Sequence, residues 1–167
     1  MSVTERGAVV AALEANLRHI ERVVAHLDPA TAMTRPSPDT WSPLEIMEHL
    51  AVVERGVHRA IAAAAGLPPG DARSREKDAM IASAGVVTRP LNAPEQVHPK
   101  GRFASLDEAL RFFRERRTAT LDLARSLDVV WDAHHAPHPL MGNLDVGQWF
   151  LLAATHGERH AAQLERR

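Results

Sequence analysis

The sequence contains no cysteine and no tyrosine. Without cysteine the chain forms no disulfide, offers no thiolate to a metal and carries no cysteine nucleophile. Any thiol that takes part in chemistry here must come from outside the chain. Charge of one sign is also missing. Lys and Arg number 20 against 21 Asp and Glu, a formal net charge of −1. Nothing in that balance draws the chain to nucleic acid or to an anionic membrane. The run Arg111, Arg114, Arg116, Arg117 reads as a solvated helix face. No apolar stretch is long enough to cross a bilayer. The first residues, MSVTERGAVV, are polar and charged where a signal peptide needs an apolar core. A cytoplasmic protein is expected. The remaining composition is ordinary, with 45% hydrophobic and 25% charged residues. A chain of 167 residues suits one domain, 1–167, with a core of its own.

What is present is helical periodicity. Four stretches carry apolar residues at steps of three and four, and each opens on a small polar residue followed three positions later by Glu or Gln. Ser2–Glu5 leads into Val9, Leu13, Leu17, Ile20, Val24 and Leu27, and Asp28-Pro29 ends that stripe. Ser42–Glu45, with Pro43 at the first helical position, leads into Ile46, Leu50, Val53, Val57 and Ile61, ending near Gly66. Ser105–Glu108 leads into Leu106, Leu110, Phe113, Leu121, Ala124 and Leu127. Asp145–Gln148 leads into Trp149, Leu152, Ala153, His156, His160 and Leu164. No segment alternates with period two, so no sheet is expected. The second and third helices are joined by a long connection, roughly 66–104, in which Ser74 to Ala84 suits a short extra helix. The link DVVWDAHHAPHPLMGN before the fourth helix reads as irregular. These features predict an all-α four-helix bundle.

Ten histidines are many for this length. His156 and His160 stand four residues apart, about 40° of helix rotation, so both rings leave one face. That face is the apolar stripe. His49 sits beside Leu50 on the second stripe. Taken singly, each suits a core histidine bonded to backbone or water. Taken together, two helices turn imidazoles towards one bundle core, where metal sites are built from facing helices. Three protein ligands leave one coordination position open, the pattern of a catalytic metal. One divalent ion held by His49, His156 and His160 is therefore expected.

The other candidates are weaker. His58 lies nine residues after His49 and points about 180° away. His134, His135 and His138 form a loop cluster, most simply solvated. His19, His26 and His98 have no evident partner. Glu45, one turn before His49, suits the helix cap, with a contact to a ligand histidine as the alternative. Glu48 points about 100° from His49, towards solvent. Gln163 shares the face of His156 and His160 and suits a bond to a ligand ring. Arg159 is one step off that face, suited to a surface contact. Trp41 suits packing before the Ser42 cap, and Trp149 suits core.

Two stretches resemble a known family. Trp41-Ser42-Pro43-Leu44-Glu45 with His49-Leu50 is similar to the first motif of the DinB/YfiT-like superfamily of metal-binding proteins, which is unrelated to the lesion-bypass polymerase of similar name. His138 to Leu144, Gln148-Trp149, His156, Arg159, His160 and Gln163 resemble its second motif. The resemblance implies an up-down-down-up bundle and ligation of zinc, nickel or a similar ion by the three histidines. It also implies a homodimer and a small-molecule substrate. Three readings of function follow. The first is a metal-dependent transferase that takes a low-molecular-weight thiol as co-substrate at the open position. The second is a metal-dependent hydrolase that activates water there. The third is a non-catalytic, metal-stabilised binding or stress-response module. Iron and copper also suit three imidazoles. The nearest candidates for a general base are Glu45 and His138.

Overall fold

The computed structural model describes residues 3–71, 76–84 and 93–167. The first helix, α1, is Val3–Ala25, and the second, α2, is Pro43–Ala65. A short helix α3, Glu76–Ala84, and a single 3-10 turn, Glu95–Val97, lie in the long connection. Then come α4, Leu106–Ser126, a hairpin of β1, His135–His138, and β2, Gly142–Asp145, and finally α5, Val146–Leu164. Two of the expected capping boxes are complete. Ser42 Oγ accepts the Glu45 N–H while Glu45 accepts the Ser42 N–H, and Asp145 and Gln148 do the same for α5. At α4, Ser105 accepts the Glu108 N–H, but the Glu108 carboxylate reaches back to Ala104 instead. The expected cap at Ser2 and the start of α3 at Ser74 lie outside the described residues.

Ion pairs and polar contacts show how the helices run. Glu14 meets Arg125 and Glu21 meets Arg114, so α1 and α4 are antiparallel. Asn16 meets Glu158 and His19 meets Glu165, so α1 and α5 are parallel. His49 meets His156, while the Arg117 guanidinium joins Glu54 to the Ala153 carbonyl, so α2 opposes α5. The order is up-down-down-up. Each long helix packs on two others, α1 and α2 both lying against α4 and α5. Since α2 and α4 run the same way, the chain between them must return the full length of the bundle. That return is the reason for the long connection.

The hairpin corrects the expectation of no sheet. His135 pairs with Asp145, Ala136 with Leu144, Pro137 with Asn143 and His138 with Gly142. Ala136 and Leu144 are buried, whereas Pro137 and Asn143 face solvent. β1 thus buries one side chain, Ala136, and β2 two in succession, Leu144 and Asp145, so neither shows a period of two. Gly142, at φ 67°, supplies the left-handed residue that closes the turn. Lys77 of α3 donates to the Met141 and Asn143 carbonyls, and Gln148 donates to Asp78, which docks α3 on the hairpin and the start of α5.

Two apolar clusters fill the bundle, one towards each end. The first includes Leu13, Ile61, Leu121, Trp131 and Phe150, and the second Ile20, Ile46, Leu50, Phe113 and Leu164. A polar layer lies between them. Arg117, expected on a solvated face, is 0% exposed. Its guanidinium donates to the Leu13 carbonyl, Asn16 Oδ1, Glu54 and the Ala153 carbonyl. The neighbouring Arg111 and Arg114 do face solvent and Arg116 is half-buried, whereas Arg117 turns into the core. The layer depends on Gly157, where an added Cβ would come within 2.0 Å of Asn16 Oδ1. Gly157→Ala is expected to destabilise the protein by about 1–3 kcal/mol through this overpacking. Denaturant unfolding of the variant checks it, and a wild-type midpoint would show that Asn16 has room to move.

Candidate metal centre

The first three turns of α2 are buried almost all round, because α4, α5 and the returning 93–105 segment all cover them. His49 enters the core there, 3% exposed, and meets α5 where His156 and His160 emerge. The Nε2 atoms of His49 and His156 are 3.1 Å apart, and those of His160 and His156 are 3.2 Å apart. Among the described residues, these three form the one group of His and acidic side chains whose ligand atoms gather in this way, all within 4.8 Å. A tetrahedral ion with bonds of about 2.0–2.1 Å needs its ligand nitrogens about 3.3 Å apart. Two of the three separations, and the donor set, therefore suit a divalent metal.

The tautomers fit as well. His49 Nδ1 donates to the Val97 carbonyl at 2.8 Å. His160 Nδ1 donates to Gln163 Oε1 at 2.9 Å. With the proton on Nδ1, both rings turn an Nε2 lone pair inward, as a ligand must. Gln163 thus has the contact that its helical position suggested. The Trp41 ring lies 4.9 Å from the His49 ring, centre to centre, and the His98 ring packs edge-on against Trp41 at 6.0 Å.

Burial keeps the three imidazoles neutral. It pushes His49 down to about 4 and His160 down to about 3, and holds His156 well below the ordinary value of 6.5. The half-buried Arg159 guanidinium adds to this, more weakly, at all three rings. The neutral form is the one that binds metal. Below pH ~6.5 the unfolded chain takes up protons at these positions and the folded chain does not. Their contribution to the metal-free protein is therefore complete above that pH and is lost as pH falls towards 4, the His49 value. His19 works in the opposite direction. Its hydrogen bonds to the Glu165 and Glu158 carboxylates raise it, so its contribution is present at low pH and lost as pH rises through the raised value. Three groups outweigh one, and the melting temperature of metal-free protein is expected to fall steadily from pH 7 to pH 4.5. A flat profile measured by circular dichroism would contradict the burial of neutral rings.

The other candidates are placed elsewhere. The Glu45 carboxylate is taken up by Arg35 and the Ser42 N–H, and Arg35 holds it below the usual carboxylate range. Such a group is a weak base. His138 Nδ1 accepts from the Leu140 and Met141 N–H groups in the hairpin turn, and its ring packs on Trp149, about 10 Å of helix before His156. Trp149 is core, as expected, with its Nε1 donating to the Ala136 carbonyl. His134 and His135 each bond a separate backbone carbonyl and form no cluster with His138. His58 stays apart from the triad. His26 bonds the Arg22 carbonyl in its own helix, and His98 bonds the Ala93 carbonyl. His19, expected to be alone, has two carboxylate partners.

Glu48 is the main correction. Expected in solvent, it is 1% exposed. Its carboxylate accepts the N–H groups of Lys100, Gly101 and Arg102 and pairs with the Arg102 guanidinium. The outward face of α2 is covered here by a segment about 50 residues later in the chain. No local pattern signals that cover.

Comparisons with known proteins bear on the family and the fold. A model of the DinB superfamily matches residues 12–164. The protein YuaE of Bacillus subtilis is 25% identical over 144 residues, covering 78% of this chain and 79% of YuaE. The solved structure of TT2238, described as a four-helix bundle protein, superposes with a TM-score of 0.67 at 22% identity, over 97% of this chain and 99% of that one. YfiT from Bacillus subtilis is described as a probable metal-dependent hydrolase with an unusual four-helix bundle topology. It superposes with a TM-score of 0.68 at 14% identity, over all of this chain and 89% of YfiT.

Proposed function

The chain belongs to the DinB superfamily, and on that premise we propose that it is a metal-dependent enzyme, a transferase that uses a low-molecular-weight thiol. His49, His156 and His160 would hold one divalent ion. The observation that carries this reading is the pair of protonated Nδ1 atoms, on Val97 and on Gln163, which turn ligand lone pairs inward. The bound ion would supply a Lewis acid with an open position, lowering the pKa of a thiol or of water.

The chain's own residues favour an anionic ligand at that position. Arg159 places a positive charge near all three rings. Trp41 and His98 add aromatic surface beside His49. With no cysteine in the chain, a thiolate would come from a co-substrate. The likeness to YfiT favours a second reading, a hydrolase that uses water at the same position. A purely structural metal is favoured less, because two apolar clusters hold the bundle apart from the histidines.

Titration of the cobalt-loaded protein with small thiols separates the readings. A shift in the visible cobalt bands at stoichiometric thiol supports the transferase. Bands that ignore every thiol, together with turnover of ester or amide substrates, support the hydrolase. Chelation that melts the helices would support the structural reading. Elemental analysis of protein purified without a nickel column identifies the ion among zinc, nickel, iron and copper.

A further inference from the structure

The two neighbouring residues Glu48 and His49 grip the same piece of chain. His49 faces inward and donates to the Val97 carbonyl. Glu48, about 100° round the helix, faces outward and holds residues 100–102. Between them runs a strap only a few residues long. The strap has little core of its own, since none of Glu95, Gln96 or Val97 is buried. Its position against α2 is fixed by the packing of His98 on Trp41, of Phe103 on Phe112, and by the Glu48 carboxylate. Of these, the carboxylate constrains most. It accepts three successive backbone N–H groups and so fixes three peptide units at once. Arg102 balances its charge, which makes burial tolerable.

We infer that Glu48 is a positioning residue of the metal centre, holding the strap where the Val97 carbonyl keeps the His49 ring in its ligating tautomer and orientation. The inference rests on the metal reading above and adds a residue to it. Glu48 touches neither the triad nor a substrate. It acts through Val97. Groups that orient a ligand histidine typically change metal affinity by 10–100-fold when lost. Free of the clamp, the strap would carry the Val97 carbonyl away from Nδ1. The His49 proton could then move to Nε2, where it would block the ligand lone pair.

The test is a series of variants, each measured for cobalt affinity by chelator competition, for its cobalt absorption spectrum, and for amide exchange at residues 97–102 in the metal-free state. Glu48→Ala is expected to bind cobalt about 10–100-fold more weakly, with faster exchange at Lys100, Gly101 and Arg102. Glu48→Gln keeps one carbonyl acceptor and should fall between Glu48→Ala and wild type. Arg102→Ala keeps the three backbone N–H bonds but removes the counter-charge of a buried carboxylate, so it should lower the melting temperature while weakening cobalt less than Glu48→Gln or Glu48→Ala. Ile61→Ala loosens the far apolar cluster and controls for general destabilisation. It should melt early and bind cobalt normally.

Faster exchange in Glu48→Ala with wild-type affinity and spectrum would overturn the role. So would an Ile61→Ala variant that weakens cobalt as much as Glu48→Ala does. Should Glu48→Ala fail to fold, the order wild type, Arg102→Ala, Glu48→Gln carries the same test, and a flat series overturns the role. A wild type that takes up no cobalt overturns the metal reading, and with it this role. A wild type that binds, with an indifferent Glu48 series, overturns this role alone.

Discussion

Replacing His156 and His160 together with Ala is expected to abolish stoichiometric metal uptake. The two rings supply two of the three converging nitrogens, and His49 would remain as a single ligand. Zinc held by four protein ligands is worth about 10–16 kcal/mol, so each ligand carries about 3 kcal/mol, and losing two weakens binding about 10,000-fold. Alanine keeps the helix, and the lost rings were neutral and bonded to each other, to His49 and to Gln163. The variant should therefore keep its helical circular dichroism and melt close to the metal-free wild type. Elemental analysis after dialysis decides the matter. One ion per chain in the double variant would show that the metal sits elsewhere.

Arg117→Met is expected to cost about 3–5 kcal/mol of stability, with no direct effect on the ligands. Methionine fills much of the volume but removes every donor from the polar layer. Glu54, 3% exposed, would lose the partner of its Oε2 and remain charged in the core. One of its oxygens, Oε1, already has no protein partner, so the carboxylate has no second bond to fall back on. Asn16 Oδ1 and the Ala153 carbonyl would lose their donors too. For a chain of this size the loss corresponds to a melting temperature roughly 10 °C lower. Adding Glu54→Gln should recover part of it by removing the stranded charge. A double variant no more stable than Arg117→Met would show that the carboxylate was never the cost.

The bundle could be read from the sequence because helices announce themselves locally. Ser42–Glu45 and Asp145–Gln148 stand at the ends of their helices, and both close as reciprocal caps. The triad could be read because two of its members share one helix face and the third lies on another apolar stripe. The hairpin could not, since β1 buries one residue and β2 buries two adjacent ones, which leaves no period to detect. Glu48 could not either. Helical rotation placed it correctly relative to His49, but rotation does not say what covers a face. Arg117 failed for a related reason. An arginine among arginines looks solvated unless the facing Glu54 and Asn16 are known, and both lie more than 60 residues away in sequence.

The sequence by itself determined four amphipathic helices, the capping boxes of α2 and α5, the face that carries His156 and His160, and the absence of any thiol. These depend on contacts within a few residues, where geometry follows from a fixed rise and turn. Only the tertiary structure decided the rest. It set the direction of each helix and brought His49 across to the other two rings. It laid residues 97–102 over α2, so that one carboxylate and one carbonyl hold that histidine from outside. Those arrangements depend on which surfaces meet after the chain has doubled back, and no short-range period records that.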